Sequence, residues 1–118
     1  IGAEGRIIVL AVAINVGEEN TTFQTILDNT PHQQGQNPST GIQINPASLL
    51  PPLHHNRPDF YTLAGSLTTP PCSEGVQWYL VSEAITISAT QLEQLKGFYT
   101  NNARSPQGLN GRAVLSTQ

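Results

Sequence analysis

An uninterrupted apolar run at residues 7–14 constrains the fold of this chain more than any other feature. All of its side chains are Ile, Val, Leu or Ala, and most of them are β-branched. A run of this composition and length predicts a central β-strand that is buried on both faces. It is far shorter than the roughly 20 apolar residues that a helix needs to cross a bilayer. We therefore expect a sheet protein in which this strand is central.

The composition is typical of a soluble, loop-rich protein with substantial strand content. The 118 residues suffice for one small domain, and they include 9 prolines and 10 glycines. Only 11% of the residues are charged, the net charge is -3, and the 5 basic residues are scattered. A chain with this charge pattern is not expected to bind nucleic acid or a membrane surface.

Two short helices are predicted from their capping residues. Asn20 offers an N-cap before Phe23, Ile26 and Leu27, which share one helical face, and this helix should end near Pro31. A capping box at residues 88–91 predicts a second helix over residues 89–98.

Three further strands are expected at residues 59–66, 76–87 and 113–116, where β-branched and aromatic residues recur. Alternation in the longest of them places Val76, Trp78 and Leu80 on one face. Residues 32–58 are rich in Gln, Asn, Gly, Ser and Pro, which predicts ordered loops, with a disordered linker as the alternative. The order of elements predicts a mostly β (α+β) architecture with peripheral helices.

The three histidines are not expected to form a metal site. His54 and His55 are adjacent, and successive residues of a strand point to opposite faces, so the pair could not reach one ion from a strand. We expect these two residues and His32 to be solvated loop residues. A nucleophilic pair of Cys72 with His54 or His55 would need a third, orienting group, which the sequence does not identify.

Residues 61–78, with the sequence YTLAGSLTTPPCSEGVQW, are similar to the most recognisable stretch of the α-class carbonic anhydrases. The apolar strand closed by Gly17, the turn at 49–51 and the segments 84–88 and 102–112 match the same family in the same order. The resemblance covers essentially the whole chain. It implies the carboxyl-terminal part of the family's central twisted, mainly antiparallel sheet, with short peripheral helices.

On this resemblance, residues 1–118 are a single partial domain, the carboxyl-terminal half of a carbonic anhydrase domain. The chain contains no methionine and begins at Ile1, so we expect a processed product or a fragment.

The resemblance implies a zinc-dependent lyase that reversibly hydrates carbon dioxide to bicarbonate by means of a zinc-bound hydroxide. A catalytic zinc takes three protein ligands and one open position. The three zinc-binding histidines of the family would all precede Ile1, so we expect zinc to be bound outside this chain and the chain alone to be inactive. A non-catalytic carbonic anhydrase-related binding module or an inactive fragment is the alternative, and a generic β domain is a third.

The resemblance assigns direct chemistry to Thr68. Its hydroxyl would accept a hydrogen bond from the hydroxide and donate one to a glutamate outside this chain, so that the hydroxide is aimed at the substrate carbon. Thr69 matches a neighbouring polar position that would orient bicarbonate. Without the flanking sequence, Thr-Thr-Pro-Pro would predict no more than a turn.

Carbon dioxide is apolar, and the family binds it against a hydrophobic wall. The resemblance assigns this wall to Val9, Leu67, Val76 and Trp78, and an ordinary core role is the alternative for each of them. Arg104 matches a buried structural arginine of the family.

Cys72 is the only cysteine, so it has no disulfide partner within this chain. Exported members of the family carry a cysteine directly after the Thr-Thr-Pro-Pro stretch, paired with one near the start of the domain. The resemblance therefore implies a disulfide with the missing half and a periplasmic or extracellular location.

Overall fold

The computed structural model describes residues 5–33, 35–36, 41–53, 57 and 59–117. The described residues form strands, two α-helices and one short 3-10 helix. In chain order these are β1 (Ile7–Ala11), β2 (Ile14–Val16), α1 (Thr21–Asp28), the 3-10 helix (Pro46–Leu49), β3 (Phe60–Ser66), β4 (Glu74–Val81), β5 (Ile85–Ile87), α2 (Ala89–Lys96) and β6 (Leu115–Ser116). None of the helices in these ranges has the length and apolar character of a membrane span.

The chain divides into two compact units. The first comprises Ile1–Ala13, Pro52–Glu83 and Ala103–Gln118, and the second comprises Ile14–Pro51 and Ala84–Asn102. Among the described residues each unit contains one sheet, and both α-helices belong to the second unit. The mostly β class with short helices is confirmed.

The sheet of the first unit has four strands in the order β1-β4-β3-β6. β1 runs parallel to β4, whereas β3 runs antiparallel to both β4 and β6, so the sheet is mixed. Val76 and Val81 of β4 are 2% and 3% exposed and form the buried part of this unit. The core of this unit therefore follows β4, which pairs with β1 on one side and with β3 on the other.

The prediction of one strand over residues 7–14, buried on both faces, is wrong. β1 ends at Ala11 and a separate strand begins at Ile14. Among the described strands β1 lies at an edge of its sheet, and Ile8 and Leu10 are 54% and 52% exposed. An apolar run indicates which side chains avoid water, but it does not specify which part of the molecule covers them.

The strand expected over residues 76–87 is also two strands, β4 and β5. Ser82, Glu83 and Ala84 separate them, and the Ser82 backbone N–H donates to the carbonyl oxygen of Asp59 at 2.9 Å. A serine followed by an exposed glutamate interrupts the apolar alternation at this point. The final strand covers only the last two residues of the predicted range 113–116.

Both predicted helices of the second unit are confirmed, with their caps. Asn20 is the N-cap of α1, and its Oδ1 accepts a hydrogen bond from the Phe23 backbone N–H at 2.9 Å. Ser88 and Gln91 form the predicted capping box of α2, which ends at Lys96, two residues before the expected end. Leu27 of α1 is buried, with 3% of its surface exposed.

The second unit also contains a two-stranded sheet, in which β2 runs parallel to β5. Ile87 of β5 is 1% exposed. In the described part of residues 32–58 the chain forms loops and the 3-10 helix, which Asn45 caps by accepting a hydrogen bond from the Ala47 N–H at 3.1 Å. His54 and His55 lie outside the described residues.

Candidate functional site

The loop that connects β3 to β4 carries the two threonines singled out in the sequence. Two backbone hydrogen bonds close this loop: the Leu67 N–H donates to the Ser73 carbonyl oxygen at 2.9 Å, and the Cys72 N–H donates to the Thr69 carbonyl oxygen at 2.8 Å. Thr68 and Thr69 are both exposed between these anchors. The hydroxyl groups of Thr68 and Thr69 are therefore exposed on a loop whose backbone is held by two hydrogen bonds.

Strand pairing brings three of the four predicted wall residues onto one face of the sheet. Val9 lies directly opposite Trp78, and Ile7 lies directly opposite Val76. Residues paired in register share a face, and residues two apart on a strand share a face as well. Val9, Val76 and Trp78 therefore lie on one side of the β1–β4 pair.

The wall residues differ in how far they are buried. Val76 is 2% exposed and belongs to the core of its unit, whereas Val9 and Trp78 are half-buried. Leu67 is also half-buried, but it lies in the loop after β3 and not on the sheet. Of the four, Val9, Leu67 and Trp78 retain exposed surface.

Two residues that the sequence analysis did not assign hold Trp78 in place. The indole Nε1–H donates to the Ser66 carbonyl oxygen at 3.0 Å. A Cβ atom on Gly65 would lie 2.8 Å from Cδ1 and 3.0 Å from Nε1 of Trp78. The indole ring therefore lies so close to the backbone at position 65 that a side chain there would collide with it. A glycine inside a strand is the sequence signal for such a close approach.

The structural role expected for Arg104 belongs to Arg112 in this structure. Arg104 is exposed, and its Nη1 donates to the Ser66 hydroxyl at 3.3 Å. Arg112 donates to three backbone carbonyl oxygens, those of Ala64 at 2.8 Å, Gly108 at 2.9 Å and Leu109 at 2.8 Å. The expectation of a buried Arg104 is wrong because the segment around it, residues 101–111, is exposed throughout.

A cleft of about 370 Å³ opens in the first unit next to the Ser66 end of β3. Its lining includes both arginines, together with Ser66, Cys72 and Glu74, and it does not include Thr68 or Thr69. The structure thus places the two exposed threonines outside the cavity that contains Arg104 and Arg112.

The described residues do not fit a catalytic zinc ion. No group of three or more His, Cys, Asp or Glu side chains in these ranges is arranged to hold a metal. His32 is exposed, as predicted, and its ring stacks on Phe98 with centroids 5.1 Å apart and an interplanar angle of 14°. This histidine is therefore engaged with an aromatic ring in the second unit.

Cys72 lies at the end of the threonine loop. Its side chain is half-buried and unbonded to any other cysteine, and its backbone adopts a left-handed conformation with φ 56°. No other residue of this chain is a cysteine. A disulfide at this position requires a partner outside the 118 residues.

Several known proteins that are similar to this chain are carbonic anhydrases. The sequence model of the family described as eukaryotic-type carbonic anhydrase matches residues 1–118. A carbonic anhydrase from Nostoc sp. is 38% identical over 112 residues, which are 94% of this chain and 41% of that protein. A carbonic anhydrase from Klebsiella pneumoniae is 35% identical over 96% of this chain and 45% of its own length.

Solved structures give the same result. The α-carbonic anhydrase of Thermovibrio ammonificans, solved with sulfanilamide, is 40% identical with a TM-score of 0.84, over 95% of this chain and 48% of that one. A carbonic anhydrase from Chlamydomonas reinhardtii, solved with acetazolamide, is 32% identical with a TM-score of 0.88, over 98% of this chain and 52% of that one. The chain thus spans about half the length of the relatives that it matches.

Proposed function

Because the chain belongs to the eukaryotic-type (α-class) carbonic anhydrase family, we propose that it forms part of an enzyme that reversibly hydrates carbon dioxide to bicarbonate. One observation carries the proposal. The exposed Thr68 lies on a closed loop between β3 and β4, and β4 pairs with β1 so that Val9 and Trp78 face the same side. An exposed hydroxyl group and an apolar surface within one unit suit a small apolar substrate that is attacked by an oxygen nucleophile.

Each candidate residue has a distinct part in this proposal. The Thr68 hydroxyl orients the attacking oxygen by hydrogen bonding, because one hydroxyl can donate and accept at the same time. Val9, Leu67 and Trp78 contact carbon dioxide through their exposed surface, and the buried Val76 supports them from the core. Thr69 binds the polar product.

Zinc is the metal that the proposed activity requires, and it would supply Lewis acid chemistry. The described residues lack a ligand set for it, so we propose that the three zinc-binding histidines lie outside this chain. The 118 residues by themselves are then inactive.

A periplasmic or extracellular location is part of the same proposal. It is supported by Cys72, whose position after the Thr-Thr-Pro-Pro stretch matches exported members of the family. Structural disulfides persist in oxidising compartments, and a bridge from Cys72 to the rest of the domain would belong there.

The test is a comparison of threonine variants in the complete protein encoded by the source gene, purified with zinc. Carbon dioxide hydration is followed by stopped flow. We expect Thr68→Ala to lower kcat/KM by about 10- to 100-fold, the size of effect typical for a group that orients metal-site chemistry. Zinc content should not change, and Thr68→Ser should restore most of the rate because it keeps the hydroxyl.

Thr90→Ala is the matched control, since Thr90 is an exposed threonine of α2 and lies in the second unit. A Thr68→Ala variant as fast as the unaltered protein would remove Thr68 from the proposal. A zinc-loaded protein that fails to hydrate carbon dioxide would overturn the proposed activity in favour of a non-catalytic binding module.

A further inference from the structure

A tight turn shortly before β6 has two central residues in the left-handed conformation. The backbone N–H of Arg112 donates to the carbonyl oxygen of Leu109 at 3.0 Å and closes the turn. Asn110 and Gly111, the residues between them, have φ of 51° and 83°. Positive φ at both central residues is typical of a type I′ turn, for which Asn-Gly is a preferred pair. The fold therefore displays an Asn-Gly sequence in a turn.

The Asn110 side chain and the Gly111 backbone nitrogen are open to solvent. Both residues are exposed, and a Cβ atom added at Gly111 would meet no heavy atom within 4 Å apart from its chain neighbours. Among the residues that the structure describes, none accepts a hydrogen bond from the Gly111 N–H. Glycine also has no side chain that could shield its nitrogen. The nitrogen is therefore accessible directly after an exposed carboxamide.

We propose that Asn110 is a site of spontaneous deamidation in the folded protein, and that the isoaspartate product loosens the bonds of Arg112. The Gly111 nitrogen loses its proton to solvent and attacks Cγ of Asn110. The new carbon–nitrogen bond closes a five-membered succinimide ring, and the side-chain nitrogen leaves as ammonia. Water then opens the ring at one of its two carbonyl carbons, which gives aspartate or isoaspartate at position 110. Water is the only co-reactant.

The two products differ in their effect on the backbone. Aspartate leaves the main chain unchanged, and Asp-Gly also suits a type I′ turn. In isoaspartate the main chain runs through the former side chain and gains one carbon, so the bond between Arg112 and Leu109 no longer closes the same ring. The Arg112 guanidinium also donates to the carbonyl oxygens of Leu109 and Gly108 next to this turn, and to that of Ala64 in β3. Isoaspartate should therefore disturb these bonds, whereas aspartate should keep them.

Asn101 is a matched reference within the same chain. It is exposed and left-handed, with φ 53°, but the residue after it is Asn102 and not glycine. Trypsin cleaves after lysine and arginine and thereby separates the two positions. Residues 97–104 contain Asn101, and residues 105–112 contain Asn110 as their only asparagine. One digest therefore measures both reactions in the same sample.

The complete protein encoded by the source gene, purified with zinc, is aged in a mildly alkaline buffer made with heavy-oxygen water and then digested in ordinary water. The heavy oxygen marks residues that react during ageing and not during digestion. We expect Asn110 to deamidate at least about tenfold faster than Asn101, a barrier lower by about 1.4 kcal/mol, because a following side chain hinders the attack. The isoaspartate fraction, separated by ion exchange, should melt at a lower temperature than the Asn110→Asp variant.

Three outcomes would overturn deamidation at this site. They are an Asn110 peptide that stays unmodified, equal rates at Asn110 and Asn101, and a product at position 110 that carries no heavy oxygen. An isoaspartate fraction that melts together with the Asn110→Asp variant would overturn the effect on Arg112. These results are independent of carbon dioxide hydration, since no candidate residue of the proposed function takes part in the reaction.

Discussion

The side-chain amide of Gln91 makes two hydrogen bonds to the backbone of Asn20, although the residues are 71 positions apart. Its Oε1 accepts from the Asn20 N–H at 3.0 Å, and its Nε2 donates to the Asn20 carbonyl oxygen at 2.7 Å. The same Oε1 accepts from the Ser88 N–H at 3.0 Å, and Nε2 also donates to Gln24 at 3.2 Å. Because Asn20 caps α1 and Gln91 belongs to the capping box of α2, one side chain joins the starts of both helices.

Replacing Gln91 by leucine should destabilise the protein strongly. Gln91 is 1% exposed, so Gln91→Leu fills a similar volume but leaves the backbone N–H groups of Asn20 and Ser88 without their acceptor. A buried polar group that loses its partner costs about 1–3 kcal/mol, and we expect a total loss of about 3 kcal/mol. Urea unfolding followed by circular dichroism measures it.

Thr90→Ala on the same helix is the control and should change the unfolding free energy by less than about 0.5 kcal/mol, because Thr90 is exposed. Equal stability of the two variants would mean that the Gln91 amide does not join the two helices.

Gly65→Ala should displace the indole of Trp78. The new Cβ would lie 2.8 Å from Cδ1, closer than van der Waals contact allows, so the ring has to move and its bond to the Ser66 carbonyl oxygen is lost. We expect a loss of about 1–3 kcal/mol in the free energy of unfolding from overpacking, and a red-shifted tryptophan emission. Trp78 is the only tryptophan of the chain, so the emission reports on this ring alone. An unshifted emission spectrum would contradict this account.

Gly108→Ala serves as the comparison for Gly65→Ala. A Cβ at Gly108 would approach only Oδ1 of Asn110, at 3.4 Å, so the emission spectrum should not move.

Arg112→Lys should destabilise the protein more than Arg104→Lys. A lysine ammonium cannot reproduce the three bonds that the Arg112 guanidinium donates to separate carbonyl oxygens. We expect a loss of about 1–3 kcal/mol at Arg112 and less than about 0.5 kcal/mol at the exposed Arg104. Thermal unfolding of the two variants side by side measures the difference, and the reverse order would restore the structural role to Arg104.

The Cys72 thiol should be protected from alkylation in protein isolated from its source. If Cys72 is bridged to the rest of the domain, a maleimide added in denaturant without reductant will not label it, and labelling will become complete after reduction. Peptide mass spectrometry reads out the modified residue. Labelling that is complete before reduction would argue against the disulfide and against an oxidising compartment.

Several features were predictable from the sequence because they depend on neighbouring residues. A cap acts over three positions, so Asn20 with α1 and Ser88 with α2 were both located correctly. The family was identifiable from residues 61–78 and the segments that accompany them, and the match over residues 1–118 confirms it. The helix caps depend on neighbouring residues, and the family match depends on the order of sequence motifs. Neither of the two requires knowledge of how side chains pack.

The division of the long apolar runs was not predictable in the same way. Residues 7–14 have an apolar pattern that fits a strand buried on both faces, yet Ile8 and Leu10 are exposed and β1 is an edge strand among those described. Exposure is set by the elements that lie against a strand, and these come from distant parts of the chain. A single-sequence pattern carries no information about them.

The sequence by itself therefore determined the family and the helix caps, whereas the roles of Thr68, Val9, Val76 and Trp78 stay predictions. Only the tertiary structure decided that Val9 lies opposite Trp78 and that Gly65 accommodates the indole ring. It also decided that Arg112 donates to three backbone carbonyl oxygens, a role that the sequence did not predict. The physical reason is the distance along the chain over which each interaction acts. Capping and turn formation act within a few residues, whereas strand register, burial and long-range hydrogen bonds depend on which distant segments the fold brings into contact.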